Sequence, residues 1–153
     1  MIQVFNSEFE ISMRILLLLS TFNEPLNAGY IKSIDLLSIY IKQYGISDTN
    51  LHGDSSYSFS EVASRHDTIT SSLKSLVKSN LINVRSSSEG FLYQINKNGI
   101  ECCKQMKFDY AIEYKQSVIK TKAYISGKSL KEIHDLTYGQ LKRGLNNGKI
   151  TFK

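Results

Sequence analysis

The chain has 153 residues, 41% of them apolar, and carries a formal net charge of +5. That length and composition suit one compact domain with its own core, and they exclude a disordered tail or a disulfide-rich miniature scaffold. The greasiest stretch, ILLLLSTF from Ile15 to Phe22, falls far short of the ~18 apolar residues that read as a membrane span.

NSEFEISMRILLLLSTF, residues 6–22, predicts a first helix. Ser7 stands at the N-cap with Glu10 three residues on, a capping box that satisfies two otherwise orphaned amides. Ile11, Ile15, Leu18 and Leu19 recur at helical spacing, and Leu16 and Phe22 widen the stripe until the helix is apolar on most sides. Pro25 is the only proline, and it forces the chain out of helix and into extended backbone. Residues 27–45 predict a second helix with Ile31, Ile34, Leu37, Ile41 and Tyr44 on its apolar face, stopped at Gly45. ISDTNLHGDSSY then reads as a polar loop. Its Asp48, His52 and Asp54 lack the spacing of a metal-ligand set.

The next segment predicts two helices joined by a short turn. SFSEVAS is a short helix capped by Ser58 with Glu61 at the third position, Arg65, His66 and Asp67 make the turn, and residues 67–80 form the second helix. Ile69, Leu73, Leu76 and Val77 lie on its inner face. This is a helix-turn-helix. Two runs of β-formers follow, LINVR and FLYQI, around the tip SSSEG, and alternation sets Leu81 and Val84 against the helices. A helix-turn-helix followed by a two-stranded hairpin is a winged helix. The second strand runs directly into another helix, with Asn96 as N-cap and Gly99 in its first turn, where a small residue lets the backbone approach the first helix closely.

Beyond the hairpin the chain stays helical. Tyr110, Tyr114, Val118 and Ile125 line one side of a helix, Gly127 interrupts it, and Ser129 with Glu132 forms a second capping box that opens the last helix. The tail, NNGKITFK, reads as a frayed strand or a disordered end. The expected fold is therefore mainly α with a small β-hairpin. Residues 1–107 form a winged helix-turn-helix domain, and residues 108–153 form a basic helical C-terminal extension.

Charge is unevenly spread. Residues 1–96 hold seven Lys/Arg against nine Asp/Glu, whereas residues 97–153 hold twelve against five. Either the last third meets an acidic partner or it presents an ordinary solvated lysine face. Cys102 and Cys103 are adjacent and are the only cysteines, so they make neither a zinc site nor a disulfide framework. Together with the lack of a basic-started leader, this points to a reducing, cytoplasmic setting.

For a DNA-reading winged helix the second helix must offer donors to base edges, chiefly from Arg, Lys, Asn or Gln. Its outward positions are Thr68, Thr70, Ser71, Lys74, Ser75 and Lys78, and the hairpin adds Arg85 but also Glu89. Lys74, Lys78 and Arg85, with Lys120, Lys122, Lys142 and Arg143 further on, are the candidate nucleic-acid contacts. Phosphate neutralisation supplies most non-specific affinity, so a reading helix with two lysines is underpowered. Nucleophile elbows, phosphate-binding glycine loops and paired metal ligands are all missing from the sequence. The expectation is a protein without catalytic activity and without a cofactor.

Several strings go further. Asn6, Ser7, Glu8, Glu10, Ile11, Arg14 and Leu16 match the start of a family pattern. Ile34, Asp35 and Leu36 match its helix after the proline, and Glu61 and Arg65 match an E-h-x-x-R string after a serine-rich loop. Over roughly residues 5–110 the chain resembles the middle component of bacterial three-component ABC-ATPase defence systems, a class that includes the small third subunit of Lamassu-type anti-phage systems. The resemblance implies a non-catalytic adapter in a hetero-oligomer, bridging an SMC- or Rad50-like ABC ATPase and an effector subunit that is often a nuclease. Glu8, Glu10, Arg14, Asp35, Glu61 and Arg65 would then be partner-binding residues, where charge serves specificity more than raw affinity. DNA contact would be non-specific and made through the complex, with no membrane involved. The competing expectation is a dimeric winged-helix transcription regulator with Tyr110, Tyr114 and Tyr124 on a dimer arm.

Overall fold

The computed structural model describes residues 7–41, 44–47 and 59–144 of the chain, the side chains of 59–67 and 138–144 falling outside that description. Helix α1 (Glu8–Phe22) is the central pillar. Ser7 caps it as expected, its hydroxyl accepting from the Glu10 amide at 3.2 Å. Nine of its fifteen residues are buried, so the helix has a buried majority and only a narrow solvent edge. Asn23 ends it in the left-handed conformation. A two-residue strand, β1 (Leu26–Asn27), follows the proline, and the Asn27 side chain caps α2 (Ala28–Ile39) by accepting from the Tyr30 amide at 2.7 Å. Helix α2 stops at Ile39, before Gly45, yet Ile41 and Tyr44 beyond it are still buried with the rest of the predicted stripe.

Helix α3 runs without a break from Phe59 to Lys78. This corrects the expected turn at Arg65, His66 and Asp67. Neither glycine nor proline occurs between 59 and 78, and a polar triplet alone does not end a helix. Its inner face is the expected one, with Ile69, Leu73 and Leu76 buried. Asn80, with φ +59°, closes the helix, and the Leu81 amide turns back to the Leu76 carbonyl at 3.0 Å.

The hairpin of β2 (Ile82–Ser87) and β3 (Gly90–Ile95) is tighter than the expected five-residue tip, since Ser87 already pairs with Gly90. Gly90, at φ +97°, takes a left-handed turn that a side chain would resist. Cross-strand partners share a face, so Ile82 and Ile95 enter the core together at the base of the hairpin. Toward the tip the same face leaves the helices behind. Val84 is therefore exposed, against expectation, and so is Phe91. Strand β1 pairs with β3, Leu26 opposite Tyr93, giving a three-stranded antiparallel sheet in the order β1-β3-β2.

Asn96 caps α4 (Lys97–Lys104), accepting from the Gly99 amide at 3.0 Å and donating to the Asn80 carbonyl at 3.0 Å. One side chain thus starts a helix and ties it to the end of α3. Gly99 is required by close approach, but to the β2 approach rather than the first helix. A Cβ there would collide with the Leu81 carbonyl oxygen and the Ile95 side chain. Helix α5 (Asp109–Ile125) then lies against both α1 and α2. It contributes Ala111, Tyr114, Val118 and Ile125 to the same core cluster as the earlier helices. Helix α6 (Leu130–Gly144) opens with the reciprocal Ser129–Glu132 capping box, both bonds at 3.1 Å, and packs on α2 with Ile133 buried.

Candidate functional site

Two charged residues sit where apolar helices meet. Arg14 falls within the Ile11–Ile15–Leu18 stripe of α1 and is 0% exposed; Asp35 falls between Ile34 and Leu36 on α2 and is 1% exposed. The guanidinium grips the carboxylate with two prongs, Nε to Oδ1 at 3.0 Å and Nη2 to Oδ2 at 3.2 Å. A planar fork against a planar carboxylate is the geometry that makes such a pair strong. Tyr114, fully buried on α5, donates its hydroxyl to Asp35 Oδ1 at 2.7 Å, and its ring lies 5.9 Å from the guanidinium carbon. Tyr110, one helical turn earlier, accepts from Arg14 Nη1 at 3.5 Å. Nearby, Ser38 on α2 donates to Thr121 on α5 at 3.1 Å, also inside. Three helices are thus joined by polar contacts among otherwise apolar surfaces.

The electrostatics reinforce this cluster as a lock between the three helices. Burial works to lower the Arg14 pKa, but the adjoining Asp35 charge and hydrogen bond overcome it and hold the guanidinium above its ordinary value. Burial, followed by the neighbouring Asp35 carboxylate, pushes the Tyr114 phenol well above its ordinary value. Burial likewise raises Tyr110. These surroundings favour the charged guanidinium and the protonated phenols.

Arg14 and Asp35 therefore do not lie on the surface of this chain. Both are inside the molecule and bonded to each other, because a charge on an almost wholly buried helix face must find its counter-charge within the fold. Glu8 and Glu10 lie nearer the surface. Glu8 is exposed and reaches α3, where its Oε1 accepts from the Ser75 hydroxyl at 3.0 Å; the Ser72 hydroxyl also donates to the Glu8 carbonyl at 3.4 Å. Glu10 is half-exposed, and partial burial raises its pKa against the lowering effect of Arg14. The side chains of Glu61 and Arg65 lie outside the described residues.

Among the described residues, the candidate nucleic-acid contacts are spread over α3, β2 and α5. Lys74 and Lys78 are exposed four residues apart on α3, and Arg85 is exposed on β2. The Glu8 carboxylate is bonded at Ser75, between Lys74 and Lys78 on α3, where it opposes a phosphate. Lys122 is engaged by its own chain. Its ammonium donates to the Thr21 carbonyl at 3.2 Å and stands 5.4 Å from the centre of the Phe22 ring, so it compensates the negative end of α1. The Lys120 ammonium donates to the Ser47 hydroxyl at 3.5 Å. The side chains of Lys142 and Arg143 lie outside the described residues, as do Asp48, His52 and Asp54. Among the described residues no group of three His, Cys, Asp or Glu is placed to hold a metal ion, and no helix is long and apolar enough to cross a membrane. Cys102 and Cys103 are both free and half-buried, with burial raising the pKa of Cys103.

Sequence reasoning overlooked the lock itself, although a signal for it exists. Two apolar helices each carry a single charge on the buried stripe, of opposite sign, and a buried charge needs a partner. The sequence places Tyr114 on one side of its helix, with nothing to mark it as the third member.

Comparison with known proteins places these features in one family. No curated protein and no solved structure matches the chain. A family model described as ABC-three component (ABC-3C) system Middle Component 2 matches residues 4–147, extending beyond residue 110 through α5 and α6. By that match, covering nearly all of its length, the chain belongs to the Middle Component 2 family of ABC-three-component systems.

Proposed function

We propose that this chain is the non-catalytic adapter of a bacterial anti-phage defence complex, docking an SMC- or Rad50-like ABC ATPase and an effector subunit in a Lamassu-like arrangement. The observation that carries the reading is the family match over residues 4–147, a family defined as the middle component of a multi-part ABC system. Two features of the molecule support it. The first is the element order α1-β1-α2-α3-β2-β3 with the sheet order β1-β3-β2, in which the long helix α3 leads directly into the hairpin; we read α3 with that hairpin as the core of a winged helix. In this reading residues 1–107 are the winged-helix part, and the basic stretch 108–153 is fastened to it through Tyr114 and Thr121 on α5.

The second is the thin cationic endowment, among the described residues, of the face that would meet DNA. Lys74, Lys78 and Arg85 neutralise about three phosphates at most, and each phosphate contributes about 0.9 to the salt slope of duplex binding. Proteins that grip a duplex tightly make roughly 6–10 such contacts. The winged helix therefore serves as a protein-binding surface, with any duplex contact made alongside the ATPase. Co-expression of the chain with the ABC ATPase and the effector encoded beside it tests this. A stoichiometric complex on gel filtration supports the adapter; a chain that elutes alone and ignores both neighbours defeats it.

A second reading, a DNA-binding regulator, is favoured by the exposure of Lys74 and Lys78 on α3 with Arg85 on the hairpin. Its dimer arm is weakened, because Tyr114 is fully buried and bonded to Asp35. A gel shift at graded salt separates the two: sequence-dependent nanomolar binding at physiological salt identifies a regulator, and weak, sequence-blind binding an adapter.

A further inference from the structure

Helix α5 turns its buried side to α1 and α2, yet its outer side is not wholly polar. Ile112 is 46% exposed and Ile119, seven residues later and so on the same side, is 51% exposed. Single exposed apolar residues call for no explanation, but these two line a common groove. The groove, with a volume of about 390 Å³, lies between α5 and the end of α4. Leu17 of α1 and Ala111 of α5, both buried, and Met106, half-buried, form its apolar floor. Lys104, Lys107 and Lys115 form its rim, and no carboxylate is among its lining residues. Lys104 is held by Glu101 at 3.1 Å, while Lys107 and Lys115 form no ion pair among the described residues.

We infer that this groove docks an acidic amphipathic helix of a partner subunit, with apolar side chains between Ile112 and Ile119 and Asp or Glu side chains meeting Lys107 and Lys115. The inference rests on the adapter reading and adds the chemistry of the partner. An apolar floor spaced over two turns of α5 suits the i, i+3/i+4, i+7 anchors of a docked helix, and a one-signed rim selects a helix of opposite charge. A second copy of this chain fits poorly, since a two-fold contact through the groove sets lysine rim against lysine rim. A nucleic-acid backbone matches the lysines but leaves both isoleucines in water.

The test uses the full chain co-expressed with the ABC ATPase and effector of its own system. A photo-crosslinking benzoylphenylalanine is placed at position 112 or 119, and I112E/I119E and K107E/K115E variants are made in parallel. All four positions are exposed, so circular dichroism should report unchanged folding. The expected result is a crosslink to a carboxylate-rich helical segment of one partner, with affinity lowered on the order of tenfold or more in I112E/I119E. K107E/K115E should lose affinity too, and added salt should weaken the unmutated complex but not the K107E/K115E one. A complex that forms but crosslinks elsewhere, or that tolerates both variants, overturns the docking groove and leaves the adapter standing. Crosslinking to a second copy or to DNA overturns it as well. No complex with either neighbour removes the adapter reading and the groove together.

Discussion

Replacing Asp35 by alanine isolates the contact that joins α1, α2 and α5. The substitution leaves the Arg14 guanidinium in place, 0% exposed, with both carboxylate bonds gone. It also strips the Tyr114 hydroxyl of its 2.7 Å acceptor. Breaking a buried ion pair from one side typically costs about 3–5 kcal/mol, since the remaining charge stays desolvated. A domain has only about 5–15 kcal/mol in total, so the loss is a large share of it. For a chain of this length each kcal/mol corresponds to about 2–4 °C, so D35A should lower the melting temperature by roughly 6–20 °C. Urea denaturation followed by circular dichroism should show a lower midpoint with an unchanged slope. Y114F, which keeps the ring and removes one bond to a charged group, should cost less, about 1.5–3 kcal/mol. The double variant R14M/D35L should recover part of the D35A loss, because no charge is then left alone although the Tyr114 hydroxyl still lacks its acceptor. A D35A penalty below about 1 kcal/mol, or a double variant no better than the single, would refute the buried lock.

Other predictions concern the hairpin and the helix ends. G99A should destabilise by about 1–3 kcal/mol in chemical denaturation, because its methyl group meets the Leu81 carbonyl and Ile95. N96A removes both the α4 cap and the bond to the end of α3, and should cost about 0.5–2 kcal/mol by the same assay. At Glu132 the Ser129 backbone and side-chain bonds hold the carboxyl below its ordinary 4.5. The native state therefore binds fewer protons than the unfolded chain, so this contribution is present above pH 4.5 and is lost as pH falls through the lower folded value. Melting temperatures of the wild type and E132Q, measured down a pH series, should converge as acidification proceeds below 4.5. A gap that is constant with pH would contradict the capping box.

Much of the fold was legible because local rules and burial agree there. The stripe of α1, the inner face of α3, the hairpin and the cap residues Ser7, Asn96 and Ser129 each follow from spacing or capping chemistry within a few residues. Failures came where local polarity was ambiguous or where partners are distant. Arg65, His66 and Asp67 resemble a turn, yet with no glycine or proline nearby the helix simply continues through them. The two-residue β1 has no pattern of its own; it exists because Leu26 meets Tyr93 across the sheet. Arg14 and Asp35 lie 21 residues apart, and Lys122 bonds a carbonyl 101 residues earlier, so sequence spacing cannot announce either contact. The candidate site suffered most. Charges read as open to a partner were partly internal, and the groove on α5 emerged only once α4, α5 and Leu17 were seen together.

The most direct measurement sets the two possible ligands against each other. The purified full chain is titrated, at physiological salt, with the ABC ATPase of its own system and separately with duplex DNA carrying its own promoter region. The account predicts that the ATPase binds at least tenfold more tightly than any duplex, and that the DNA affinity is indifferent to sequence. Tight binding to one promoter sequence, with no measurable affinity for the ATPase, would contradict it.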